Sequence, residues 1–273
     1  MRGGELKQKQ NEDIKMSLEI IFTEWGPRQF WVTKHLPKGL RLDPTYSSVK
    51  EYFPEAKITL WTDLPEMAEP YDDIEVKVID PIYNNLPHTT RQHPRWGWRC
   101  NDYYMLKAIS ESTADIAISF DCDLMFTSDK VRNILPIIEK FGFVVPMNPR
   151  QIVALDGVHG SDGIKEQNGW NVYDSDAIYQ LATYNPCVCG LETKGLTENS
   201  RNARKLIAKY LEIMEKRPIR GPLALSEASW HTGVQPYVLP RQWCVHGPDA
   251  GCEEEIILHV GHTNIQDHYL EQR

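Results

Sequence analysis

The chain has 273 residues, 41% hydrophobic and 25% charged, enough for one large α/β domain or two small ones and balanced like an ordinary globular protein. A formal net charge of −8 argues against a wide phosphate-gripping surface for duplex DNA, and no apolar run approaches the roughly 18 residues a membrane span needs. The six cysteines form no Cys-x-x-Cys pair, which excludes a zinc ribbon and leaves buried free thiols as the reading.

Residues 1–16 are polar and lack the apolar centre of a secretory signal, so they read as a flexible leader on a cytoplasmic protein whose fold starts near Ser17. SLEIIFTEWG (Ser17–Gly26) predicts a first strand that ends on Thr23 and Glu24 before a Gly-Pro break. Lys57–Glu66 predicts a second strand running into Asp63, and the alternation in Asp73–Pro81 a third. Arg95–Ser112 predicts a helix with Tyr103, Leu106 and Ile109 on one face. ADIAISFDCD (Ala114–Asp123) supplies a fourth strand, Lys130–Phe141 a helix broken by Pro136, and FGFVVPM a fifth strand.

Beyond that point, Gly157–Asp176 is rich in Gly, Asp and Asn and reads as a long loop shaping a site. Glu198–Arg217 is the clearest helix, with Asn199 or Ser200 as N-cap and Leu206, Tyr210, Ile213 and Met214 on one face. Glu253–His262 predicts a last strand ending in histidines. Strands alternating with helices predict a single α/β, Rossmann-like domain over residues 17–273, with a mostly parallel central sheet flanked by helices. In such sheets ligands gather at the carboxyl ends of the strands, where Thr23, Glu24, Asp63, Asp121 and Asp123 all fall.

Asp121 and Asp123 flank one residue where a buried strand begins to turn, so both can reach one hard divalent cation. The bland alternative is a solvated strand end or an Asx turn. ADIAISFDCDLMF resembles the Asp-x-Asp strand end of the GT-A glycosyltransferases, and the resemblance in layout extends over roughly residues 17–263. It implies a nucleotide-sugar half over about 17–126 and an acceptor half over about 127–273. It also implies Mn²⁺ or Mg²⁺ on Asp121 and Asp123, with His259 of IILHVGHTN as third ligand and His262 as second choice. Thr23 and Glu24 stand where the family binds the base. Arg95, Arg99 and Lys107 are the candidate contacts to the sugar nucleotide, the arginines ahead of the lysine, and Asp63 and Trp230 join the donor-binding set. TYNPCVCGLE takes the place of the acceptor-side strand.

The same resemblance gives Glu227 of LSEASW the acidic catalytic place, as base in an inverting enzyme or stabiliser of the sugar cation in a retaining one. The family's usual acidic pairs are absent, and Glu227 has a structural alternative as a cap or ion-pair partner. His231 and His246 read as ordinary polar residues. HTTRQHPRWGWR (His88–Arg99) is either a phosphate or sugar platform or a helix entrance packed by its tryptophans. The implied activity is hexosyl or pentosyl transfer from a nucleoside-diphosphate sugar to a hydroxyl, most simply of a glycan. The rivals are transfer to a nucleobase of viral-type DNA and a non-catalytic sugar- or nucleotide-binding module with a structural cation. A nucleotidyltransferase would need a glycine-rich loop after the first strand, and TEWGPRQF has one glycine.

Overall fold

β1 (Leu18–Glu24) is buried along all seven residues, as a strand covered on both faces must be. In the computed structural model, which describes residues 16–26, 42–82, 94–147, 184–216, 220–245 and 254–260, it lies inside a sheet of seven strands. On one side it pairs in parallel with β2 (Lys57–Thr62), and β2 with β3 (Ile74–Val78); on the other side it pairs in parallel with β4 (Ile116–Phe120). β5 (Leu124–Phe126) leaves this sheet immediately after β4. With β6 (Phe143–Pro146), β7 (Val188–Glu192) and β8 (Tyr237–Leu239) added beyond β4, β7 innermost, the order is β3-β2-β1-β4-β7-β6-β8. β7 is antiparallel to both neighbours while β6 and β8 are parallel, so β7 alone runs against the rest. The predicted α/β fold with a mostly parallel sheet is what the chain forms.

Side chains alternate across the sheet. Ile20, Phe22, Leu60, Ile118 and Phe120 face α1 (Asp43–Tyr52) and α3 (Ile134–Phe141) in one core. Ile21, Trp61, Ala117 and Leu191 share the other core with α2 (Pro94–Glu111), α4 (Glu198–Lys216) and α5 (Gly221–Thr232). Each Leu, Ile or Phe that is fully buried contributes about 1.5–3 kcal/mol relative to exposure, so the two cores hold the sheet firmly enough to carry buried charge at its edge. Glu19 on β1 shows the terms on which charge enters: its carboxylate accepts from Thr59 Oγ1 at 2.6 Å and Ser112 Oγ at 2.5 Å.

Two local expectations change, and one further helix appears. Pro136 does not break a helix; it sits third in α3, where no backbone N–H needs an intrahelical partner, and the preceding turn is a 3₁₀ segment, Asp129–Asn133. The N-cap of α4 is Thr197, neither Asn199 nor Ser200: Ser200 N donates to Thr197 Oγ1 at 3.1 Å and Thr197 N to Ser200 Oγ at 3.0 Å. Residues Gly221–Thr232, which carry Glu227 and Trp230, form helix α5. Gly142, at φ +78°, ends α3, and a Cβ there would meet the Asn199–Ser200 backbone at 2.6 Å, so only glycine admits the start of α4 this closely. No helix among the described residues is long and apolar enough to cross a membrane. The predicted loop Gly157–Asp176 lies outside the described residues.

Candidate metal centre

The turn from β4 to β5 carries Asp121, Cys122 and Asp123, and a residue of α1 builds it. Thr45, fully buried, places Oγ1 2.8 Å from the Asp121 carbonyl and 3.1 Å from that of Leu124, and accepts the Leu124 N–H at 2.8 Å. One hydroxyl therefore bridges both ends of the turn. Asp121 N donates to Cys187 O at 2.9 Å, which anchors the turn to the residue that leads into β7.

The third side chain arrives from far along the chain. β9 (Ile257–His259) pairs antiparallel with β5, and the register sets Leu124 opposite His259. Since Leu124 directly follows Asp123, that register alone delivers the imidazole to the carboxylates. His259 Nε2 lies 3.0 Å from Asp123 Oδ1 and 3.8 Å from Asp121 Oδ2. One donor atom from each of Asp121, Asp123 and His259 lies within 4.8 Å of the others. All three residues are buried, with 8%, 2% and 7% of their surfaces exposed.

Two carboxylates at this depth are costly unless positive charge stands beside them. Burial alone would lower the His259 pKa, but the charge of Asp123 and its hydrogen bond outweigh burial and push it up to about 10. Imidazolium thus offsets one of the two carboxylate charges. A divalent cation would take over that role and release the proton. Two carboxylate oxygens and one imidazole nitrogen suit a hard to borderline ion that completes its shell with water and phosphate oxygens, so the donor set fits the implied metal.

The ends of β1 and β2 connect to this centre through a residue that the motifs did not single out. Thr23 Oγ1 donates to Asn101 Oδ1 at 2.5 Å, and Asn101 Nδ2 donates to Asp121 Oδ1 at 2.8 Å. Asn101 lies three residues before Tyr104 and four before Met105 on the buried side of α2. An amide on an apolar helix face must find partners, and that was the available signal. Glu24 is fully buried at the end of β1, and Asp63 accepts the Gly26 N–H at 2.9 Å, tying the ends of β1 and β2 together.

Among the predicted cations, Arg99 is buried on α2. Lys107 lies about 9 Å farther along the helix axis than Asn101 and pairs with Glu111 at 2.8 Å. Arg95 is in α2, but its side chain, like His262 and His246, lies outside the described residues. Asp102 accepts from Arg220 Nε at 2.9 Å and from Gly221 N at 3.0 Å, which docks the start of α5 on α2. On α5, Glu227 is buried with His231 Nε2 3.7 Å from its carboxylate, and Trp230 is 61% exposed.

No protein-family profile and no curated protein sequence matches the chain. Solved structures match it in shape. The WbbM bifunctional glycosyltransferase, in its apo structure, aligns over 93% of this chain with a TM-score of 0.51 and 10% identity, and the chain spans 47%, about half, of the WbbM length. Mouse xyloside xylosyltransferase 1 in its apo form gives a TM-score of 0.49 and 11% identity, over 89% of this chain and 97% of that one. The galactosyltransferase LgtC, in complex with donor and acceptor sugar analogues, gives 0.48 and 11%, over 88% and 86%. Identities this low speak for the fold alone, and the fold is that of the GT-A glycosyltransferases.

Proposed function

We propose that this chain is a divalent-metal-dependent glycosyltransferase that moves a hexose or pentose from a nucleoside-diphosphate sugar to a glycan hydroxyl. The observation that carries the reading is the buried convergence of Asp121, Asp123 and His259 at the carboxyl end of β4, on a GT-A sheet. WbbM, which has this fold, is itself a glycosyltransferase, and that supports the reaction class. The imidazole donor favours Mn²⁺ over Mg²⁺. When bound, the cation supplies Lewis-acid stabilisation for the charge that grows on the departing diphosphate.

The chain's own residues hold and orient. Thr45 fixes the turn, and Asn101 fixes the Asp121 carboxylate. We assign the nucleoside end of the donor to Thr23, Glu24 and Asp63, and the diphosphate to Arg95 and Arg99, with Lys107 behind them because Glu111 already engages it. The exposed indole of Trp230 offers a flat apolar face to a sugar ring. Glu227 takes the acceptor proton in an inverting reaction or stabilises the sugar cation in a retaining one. A nucleobase acceptor finds no support among the described residues, and the charge of −8 opposes it.

The test is a panel of nucleotide sugars incubated with Mn²⁺ and scored by acceptor-free hydrolysis, with Asp123→Asn as control. Metal-dependent release of nucleoside diphosphate from one donor, lost in the variant, is expected. Tight donor binding with no turnover on any donor or glycan would replace the reading with a non-catalytic binding module.

A further inference from the structure

His259 faces a second set of donors. Cys187, just before β7, and Cys244, just after the 3₁₀ turn Arg241–Trp243, are 57 residues apart in sequence, yet their Sγ atoms lie 2.8 Å apart and both are buried. Donor atoms of Cys187, Cys244 and His259 all lie within 4.8 Å of one another. Backbone bonds fix all three positions: Asp121 N to Cys187 O, Val245 N to Ile257 O and His259 N to Val245 O, each at 2.9 Å. Asn185 adds a clamp, donating Nδ2 to Cys244 Sγ at 3.3 Å while its Oδ1 accepts the Cys187 N–H at 3.3 Å. A donor aimed at sulfur is what a thiolate ligand needs around it.

We propose that Cys187, Cys244 and His259 form a second cation site, for a thiophilic ion of the Zn²⁺ and Cd²⁺ class, which draws His259 away from the Asp121–Asp123 site. The chemistry of the two ligand sets separates them. Carboxylates select hard ions, whereas two thiolates and an imidazole select soft or borderline ones. Three protein ligands leave one tetrahedral position for water. On binding, both thiol protons pass to solvent, joined by the His259 proton where the ring is charged. A bound Zn²⁺ then competes with the Asp121–Asp123 site for His259. The thiolate site does not rest on the glycosyltransferase reading; its competition with Mn²⁺ rests on the carboxylate site.

The experiment is a Cd²⁺ titration of the reduced full chain, followed by the ultraviolet thiolate-to-cadmium charge-transfer band. The expected result is a band saturating at one ion per chain. Cys187→Ser or Cys244→Ser should each weaken it by at least about 100-fold, the upper end of what even an outer-shell partner is worth. Asp123→Asn should leave it in place, which keeps this result independent of the carboxylate site. Saturating Cd²⁺ should lower Mn²⁺ affinity about tenfold or more in the unaltered chain, and not in the serine variants. No thiolate band, a band indifferent to both cysteines, a Cys187–Cys244 disulfide in reduced protein, or Mn²⁺ affinity untouched by Cd²⁺ would each overturn the proposal. The unaltered chain alone answers the first and last of these if a serine variant fails to fold.

Discussion

Thr45→Val removes one oxygen from the core and no side chain from the proposed metal site. Valine keeps the shape of threonine, so no cavity opens. What changes is that the Leu124 N–H loses its acceptor at 2.8 Å and the Asp121 carbonyl its donor at 2.8 Å, both buried. A buried polar group left unmade costs about 1–3 kcal/mol, so two of them should remove roughly 2–6 kcal/mol of stability, measured by urea unfolding. The same loss frees the turn that sets the separation of the two carboxylates. Mn²⁺ affinity, measured by calorimetry on the same preparation, should fall about 10- to 100-fold, as when other outer-shell supports of a metal are cut. Thr45→Ser restores the oxygen and gives up one methyl, so it should recover Mn²⁺ affinity at a stability cost of about 1 kcal/mol. If Thr45→Val binds Mn²⁺ within about threefold of the unaltered chain, the turn is held by something else and the argument fails.

Asn101→Leu cuts the link from Thr23 to Asp121 and should weaken Mn²⁺ binding about tenfold or more with the circular dichroism unchanged; unchanged affinity would remove Asn101 as a positioning residue. Glu227→Gln should lower the single-turnover rate by about two or more orders of magnitude while donor affinity stays put, and a near-normal rate would take Glu227 off the catalytic list. The pH response follows from His259, whose pKa rises from 6.5 to about 10 on folding. The metal-free fold therefore gains from that proton fully below 6.5 and loses the gain as pH climbs through 10. Because the ion must displace the same proton, Mn²⁺ affinity should rise with pH by about tenfold per unit across that window, and a flat profile would exclude His259 from the shell.

The strands of the sheet were readable because burial on both faces leaves continuous apolar runs such as LEIIF and IAISF, closed by polar residues at their carboxyl ends. Asp121, Asp123 and His259 were readable for the same reason, as polar residues terminating apolar strands. The supports were not. In DPTYSSVKEY the buried positions of α1 are Thr45, Ser48 and Val49, so the inward face is mostly polar and shows no apolar stripe. Its hydroxyls serve the backbone of the Asp turn and of β5, with Ser48 Oγ accepting the Phe126 N–H at 3.0 Å. β5 is three residues long, and only its register with β9 makes it matter. The Cys187–Cys244 pair was invisible because spacing rules look for ligands near one another in sequence, and these meet through tertiary structure alone.

The reversed strand β7 has a consequence for how this protein can change. In a sheet whose strands all run one way, each strand offers the site its exit. β7 offers its entrance, so the chain both leaves β6 and returns into β7 at the end of the sheet where Asp121 stands. Met147 and Tyr184 close that excursion with an antiparallel bridge, and the 36 residues between them, 148–183, begin and end beside the site. The described pairings of β6 and β7 are made on either side of that segment, so they hold its two ends in place. The placement of Asp121, Asp123 and His259 is locked elsewhere, in the register of β4, β5 and β9, so the two can vary independently in sequence.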